Sequence, residues 1–389
     1  MNLRAICVGL AMLVPVLGWS QETAQRMDLP SSKSLGPVPG APQRTNSLPM
    51  AMAVSPDKRY VVTVNAGYGT YESGYRQSLA VMDTQTGKVE DFQEPRTAIT
   101  SKEDLYSGLA FSADGKHVYA SLASISATGE RQGSGEEWRS ATAAGPAGVA
   151  ENGVLVYGFA DGKITPERLI HIGLQKLAPG KTTNLVNNTP GSLGVPWPAA
   201  IAVVPGRSGG EERLLVADNL SDDALLMNAA DGAVVHRFDL SESDAVPATY
   251  PVAVAVSKNG RRGWVALWNS SEVVELDLVN GTVRRKLSLL KPSDPVKPGS
   301  HPCALALSPD GRTLYVALSN RDSIAAVDTA TFHARGYFDT KLPGQSYFGA
   351  EPDALAVSED GTRLYATELG LDAVAVMDTH KLTRATAGT

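Results

Sequence analysis

Residues 301–328 read HPCALALSPDGRTLYVALSNRDSIAAVD, and imperfect copies of this stretch fill most of the remaining chain. Aligned on Ser308 of its SPDG turn, the equivalent positions are Ser55, Ser112, Val204, Ser257, Ser308 and Ser358, at spacings of 57, 92, 53, 51 and 50 residues. Two positions before each anchor stands alanine (Ala53, Ala110, Ala202, Ala255, Ala306, Ala356), and four before it alanine or glycine (Ala51, Gly108, Ala200, Ala253, Ala304, Ala354). The positions between are large: Met52 and Val54, Leu109 and Phe111, Ile201 and Val203, Val254 and Val256, Leu305 and Leu307, Leu355 and Val357. A period of two marks strands, and size alternation in a wholly apolar strand suits the crowded innermost strand of a propeller blade.

Each copy continues in the same order. A tight turn (SPDG or a relative) leads to a second strand such as Thr313 to Ala317, a third strand ends in aspartate and a polar turn (Val327-Asp328-Thr329), and a fourth leads on to the next copy. The expectation is an all-β fold, a β-propeller of four-stranded antiparallel blades with a repeat of roughly 40–50 residues.

The run SPDGRTLYVALSNRDSIAAVDT, with SPDKRYVVTVN and SEDGTRLYATELGLDAVAVMDT, resembles the YVTN-type β-propeller repeat from about Pro49 to Thr383. Families of that type usually have seven blades, so the resemblance leaves two expectations: a ring closed by six blades, or a seven-bladed ring whose last blade is missing from this chain. A gap of one blade would expose a strand edge and two apolar faces, so either six blades close the ring or a further segment supplies the seventh; the second is favoured, because the chain stops near its sixth outer strand without a capping motif and the resembling fusions continue in this way. In some bacterial secreted proteins that it resembles, the propeller precedes an alkaline-phosphatase-like phosphoesterase domain, which makes a C-terminal phosphoesterase an implied partner and a scaffold role an alternative function.

Outside the repeats, residues 1–20 have a basic start (Arg4), an apolar run from Ala5 to Leu17 and small residues Gly18 and Ser20, the pattern of a signal peptide. Residues 21–47 are rich in Pro, Gly and Ser and read as a flexible linker; residues 48–389 are the propeller. The expected location is periplasmic or secreted, with no membrane span after cleavage. The net charge of −6 (35 Lys+Arg against 41 Asp+Glu) disfavours nucleic acid and anionic membrane as partners, and no nucleic acid is expected. Loss of the signal removes Cys7 and leaves Cys303 as the single cysteine, so no internal disulfide forms.

By strand alternation the SPDG and Asp-Thr turns lie on one face of the disc and the longer connections on the other. The latter include residues 65–77, 123–152 (with Glu136, Glu137 and Trp138) and 171–197. Loops on a rigid scaffold are where binding concentrates. Seven positions before the anchors stand Leu48, Leu105, Trp197, Tyr250, His301 and Glu351, five of them followed by proline, and they are expected to ring the channel mouth. Candidate ligand-binding residues are Trp197, Tyr250, His301 and Glu351, with Trp268 and Asn320 from the loops after second strands. The expected ligand is a small molecule, peptide or protein.

Catalytic motifs are sparse. The six histidines show neither HxH nor HExxH spacing, and there is no C-x-x-C-H, P-loop or nucleophile elbow. No metal or cofactor is expected. His301 with Glu351, one repeat apart, is the sole acid/base pair the spacing suggests. The reading is therefore an exported binding or interaction module without activity of its own, with a lactonase-like propeller hydrolase as the alternative.

Overall fold

The computed structural model describes residues 27–28, 34–35, 45–67, 74, 76–97, 104–124, 152–185, 190–206, 210–290 and 299–384. The signal-peptide residues, and Glu136, Glu137 and Trp138, lie outside these. Within the stretch read as linker, Met27–Asp28 and Ser34–Leu35 pair as a short antiparallel hairpin.

Residues 45–384 hold six blades whose inner strands are Pro49–Val54, Asp104–Phe111, Pro198–Val204, Pro251–Val256, Pro302–Leu307 and Pro352–Val357. Each blade is an antiparallel meander; in blade 5, Thr313–Leu318, Ser323–Asp328 and Ala334–Asp339 follow the inner strand in spatial order. The SPDG turn forms from its own side chains. Asp310 Oδ1 accepts from the Ser308 hydroxyl (2.6 Å) and the Arg312 N–H (3.0 Å), while Ser308 Oγ accepts the Thr313 N–H (2.9 Å). The same lattice recurs at Ser55/Asp57, Ser112/Asp114 and Ser358/Asp360. Gly311, at φ 69°, takes the left-handed position. The second turn is stapled to the first: Thr329 Oγ1 donates to Gly311 O at 2.8 Å and Thr379 Oγ1 to Gly361 O at 2.7 Å, so both turns share one face.

Apolar clusters fill the five junctions between consecutive blades, each wholly buried Leu, Val or Phe contributing about 1.5–3 kcal/mol. The size alternation has a direction. Large inner-strand residues pack against the preceding blade (Leu109, Ile201, Val254, Leu305, Leu355), and small ones against the following blade (Ala51, Ala110, Ala200, Ala255). Met52 and Val54 of blade 1 therefore point where no preceding blade stands and are 70% and 55% exposed. Val374 and Val376 of blade 6 are exposed likewise. Among the described residues, the inner strands of blades 6 and 1 do not pack as the other neighbours do. An exposed Lys58–Glu359 ion pair links their tight turns.

The sixth blade departs from the expected four strands. Among the described residues it has three, and Thr383–Arg384, expected in its outer strand, pairs instead with the outer strand of blade 5. Gly336 permits this, because a Cβ there would sit 2.1 Å from Thr383 O.

Candidate functional site

The loop-rich face is built from a repeated backbone device. Leu48, Trp197, Tyr250, His301 and Glu351 all adopt left-handed backbone, with φ of 51°, 59°, 53°, 50° and 55°, a conformation that costs a non-glycine residue about 1–2 kcal/mol. Each is followed by proline, and then by a bulge that shifts register by one residue. The left-handed residue's carbonyl accepts the N–H just past the second strand: Ala66, Asn219, Trp268, Ser319 and Leu369, at 3.0–3.2 Å. These bonds fix five side chains in equivalent positions at the loop end of the inner strands, opposite Asp57, Asp310 and Asp360.

Leu105 breaks the pattern. Blade 2 lacks the proline, its register shift lies between Leu105 and Leu109, and Leu105 is wholly buried in the junction with blade 1, so it is not a mouth residue. Cys303 is the bulged residue of blade 5. Its thiol donates to Pro352 O at 3.1 Å, and burial, reinforced by Asp353, pushes its pKa up to about 12, which makes it an unreactive thiol.

Three candidates come together across blades 4 and 5. The His301 ring stacks on Trp268 at 3.9 Å and 25°, and Tyr250 meets Trp268 edge-on at 6.5 Å and 85°. Trp268 is 37% exposed, so the cluster is open to solvent. Partial burial lowers the His301 pKa, favouring the neutral imidazole. Trp197 lies apart, edge-on to Tyr106 at 5.6 Å. Asn320 braces the lead-in to His301, its Nδ2 donating to Gly299 O at 2.8 Å. Glu351 is exposed, and among the described residues no hydrogen bond or ion pair joins it to His301.

The lead-ins to these residues are held by side chains at the left-handed position before each third strand. Asp222 accepts the N–H groups of Ala248, Thr249 and Tyr250 at 2.7–3.0 Å. Asp322 does the same for Gly349, Ala350 and Glu351 at 2.8–3.1 Å. Ser271 Oγ accepts the Ser300 N–H at 2.9 Å, next to His301.

Two buried carboxylates stand at the loop ends of second strands; sequence reasoning reached Glu368 only as a loop residue after a second strand and missed Asp218. Asp218 is wholly buried, with both oxygens unpartnered among the described residues, and burial together with Asp223 raises its pKa well above the carboxylate range. Glu368, 2% exposed, titrates near 7, because burial and the charge of Asp322 outweigh the opposing Thr340 hydroxyl. The signal available was an acid where other blades carry Asn65, Ala123, Leu267 and Leu318. No group of three or more His, Cys, Asp or Glu among the described residues is placed to hold a metal ion.

No family model matches the chain, and no curated protein matches it. Solved structures do. A periplasmic gluconolactonase from Pseudomonas aeruginosa aligns at 19% identity and TM-score 0.57, over 89% of this chain and 85% of that one. A candidate 6-phosphogluconolactonase from Bacteroides fragilis aligns at 15% and 0.56, over 86% and 82%. Virginiamycin B lyase from Staphylococcus aureus aligns at 14% and 0.54, over 86% and 83%. At these identities the shared property is the propeller fold.

Proposed function

We propose that the chain is an exported, lactonase-like propeller that takes a small polyhydroxylated ring onto its loop-rich face and hydrolyses it. The observation that carries this reading is the Tyr250–Trp268–His301 cluster, with a part-exposed indole stacked on an imidazole whose partial burial favours the neutral form. Aromatic faces pack against the C–H side of a sugar ring, and a neutral imidazole accepts a proton from water. In the step envisaged, His301 takes a proton from water while the water oxygen adds to the lactone carbonyl carbon. The tetrahedral adduct collapses by breaking the ring acyl C–O bond, and the proton passes to the leaving alkoxide, giving one hydroxy acid per lactone and water. The lactonases among the structural neighbours support this choice, and the periplasmic one supports the location that the N-terminal pattern suggests.

A second reading, binding without chemistry, is favoured by the separation of Glu351 from His301, which leaves the base without an acidic partner. Aldonolactones incubated with the mature protein at pH 7, with acid release followed by pH-stat and binding by calorimetry, separate the two. Hydrolysis lost in His301→Ala with binding retained supports the lactonase; binding without acid release in the wild type supports the module. Neither binding nor hydrolysis, or either one unaffected by Trp268→Ala, refutes a site at this cluster.

A further inference from the structure

On the opposite face, at the junction of blades 5 and 6, the tight turns enclose a cavity of about 810 Å³ lined by Ser308, Asp310, Tyr315, Arg335, Asp360 and His380. Another junction of the same molecule shows what such a groove accepts. Between blades 2 and 3, the Tyr119 hydroxyl donates to Glu212 Oε1 at 2.9 Å, and Glu212 Oε2 accepts the Ala113 N–H at 2.6 Å. A carboxylate supplied by blade 3 thus sits on a tyrosine of blade 2.

Tyr315 is the counterpart of Tyr119. Each stands seven residues after its anchor serine, and each pairs with the small inner-strand residue two before that anchor, Ala306 or Ala110. The counterpart of Glu212, immediately before the second strand of the following blade, is Thr362, a short side chain whose hydroxyl donates to Asp360 at 2.9 Å. Tyr315 is 5% exposed, and its hydroxyl has no hydrogen-bond partner among the described residues. Arg335 stands beside it, its guanidinium bonded to the Thr313 hydroxyl. The junction keeps the tyrosine and adds a cation, but lacks the carboxylate.

We propose that this cavity binds a small hydroxy-carboxylate, its carboxylate on the Tyr315 hydroxyl and the Arg335 guanidinium and its hydroxyl groups on the carboxylates of Asp310 and Asp360. The two aspartates decide the class. Asp310 has one oxygen engaged by its own turn, and Asp360 is engaged at Oδ1 by its turn and at both oxygens by the Thr362 hydroxyl; both still present acceptor lone pairs, so a simple anion such as acetate meets more negative than positive charge. A ligand that also brings hydroxyl donors satisfies them. The volume lies within the range of small-molecule sites, and the site is independent of the loop-rich face.

The test is calorimetry on the mature protein with gluconate, and with glucose, acetate and alanine as probes lacking one feature or substituting an ammonium. Gluconate is expected to bind, with glucose and acetate at least about tenfold weaker, and Tyr315→Phe and Arg335→Gln each weakening gluconate by about tenfold, the size of one hydrogen bond to a charged group. Tyr315→Phe removes an unpartnered hydroxyl, so it should leave the unfolding midpoint unchanged, and Tyr119→Phe should leave gluconate binding unchanged. Absence of gluconate binding overturns the proposal. So does gluconate binding that survives both variants but is lost in His301→Ala, since the ligand then occupies the other face. Alanine binding more tightly than gluconate overturns the assignment of ligand class.

Discussion

Replacing Asp322 by alanine should cost more stability than any single truncation of a neighbouring surface side chain. Asp322 is 1% exposed, and its two oxygens receive the N–H groups of Gly349, Ala350 and Glu351. A hydrogen bond to a charged acceptor is worth about 1.5–3 kcal/mol net. Three are lost, but the lead-in is near the surface and water recovers part of each, which leaves about 3–5 kcal/mol. Asp222→Ala removes the same number of bonds from the lead-in to Tyr250 and should cost the same. Ser271→Ala removes one, from Ser300, and should cost about 1–1.5 kcal/mol. All three positions are left-handed, at φ 45°, 50° and 61°, so the strain that alanine inherits is common to the series and cancels in the comparison. Equilibrium urea unfolding of the mature variants gives the differences from midpoint and slope. In Asp222→Ala the Trp268 emission should also shift, because Trp268 N–H bonds Tyr250 O at 3.0 Å. A Ser271→Ala loss equal to that of Asp322→Ala would refute the view that these side chains act in proportion to the N–H groups they hold.

Glu368 predicts a pH dependence. Its folded pKa of about 7 lies above the ordinary 4.5, so the folded state holds the proton more tightly than the unfolded chain; stability is highest below 4.5 and falls as pH rises towards 7. Glu368→Gln should match the wild type at pH 4 and exceed it by about 3 kcal/mol at pH 8; a wild-type profile with no such fall would contradict the burial argument. The exposed faces of blades 1 and 6 should bind an environment-sensitive hydrophobic dye under native conditions, and Met52→Lys with Val376→Lys should lower that signal by roughly half or more. A dye signal unchanged by both would place the apolar surface elsewhere.

The inner strands were legible because their alternation is a packing rule: Leu305 and Leu307 fill the junction behind, and alanines admit the blade ahead. The turns were legible because Ser308 and Asp310 close their bonds within six residues. The mouth was read by position but not by mechanism. His301 and Tyr250 precede proline in the sequence, yet their left-handed backbone depends on a carbonyl bond to residues about 18 positions later, which no local pattern displays. Leu105 was misplaced for the same reason: without proline, its strand begins earlier and carries it into the core. Repeat spacing put His301 and Glu351 at equivalent positions on neighbouring blades, and among the described residues no hydrogen bond or ion pair joins them. His301 met Trp268 instead, because Trp268 sits on the loop of the preceding blade.

The two faces of the disc divide strain and satisfaction. On the tight-turn face, Ser308, Asp310 and their counterparts answer one another, and the carboxylates lie low in pKa, Asp360 at about 2, because local donors favour the charged form. On the loop face, most of the left-handed non-glycine residues gather with the inner-strand bulges and the buried unpartnered carboxylates, whereas the tight-turn face has Lys58, Asp161 and Phe332 in that conformation. Such features are costly, and a scaffold retains them when its interblade packing is strong enough to hold them in place. Five junctions of buried aliphatic side chains provide that support. The clustering of strain around Tyr250, Trp268 and His301 is therefore a reason, independent of any resemblance, to place chemistry at the loop face, and the orderly turn face is where a preformed groove, needing no strain, can hold a ligand by position alone.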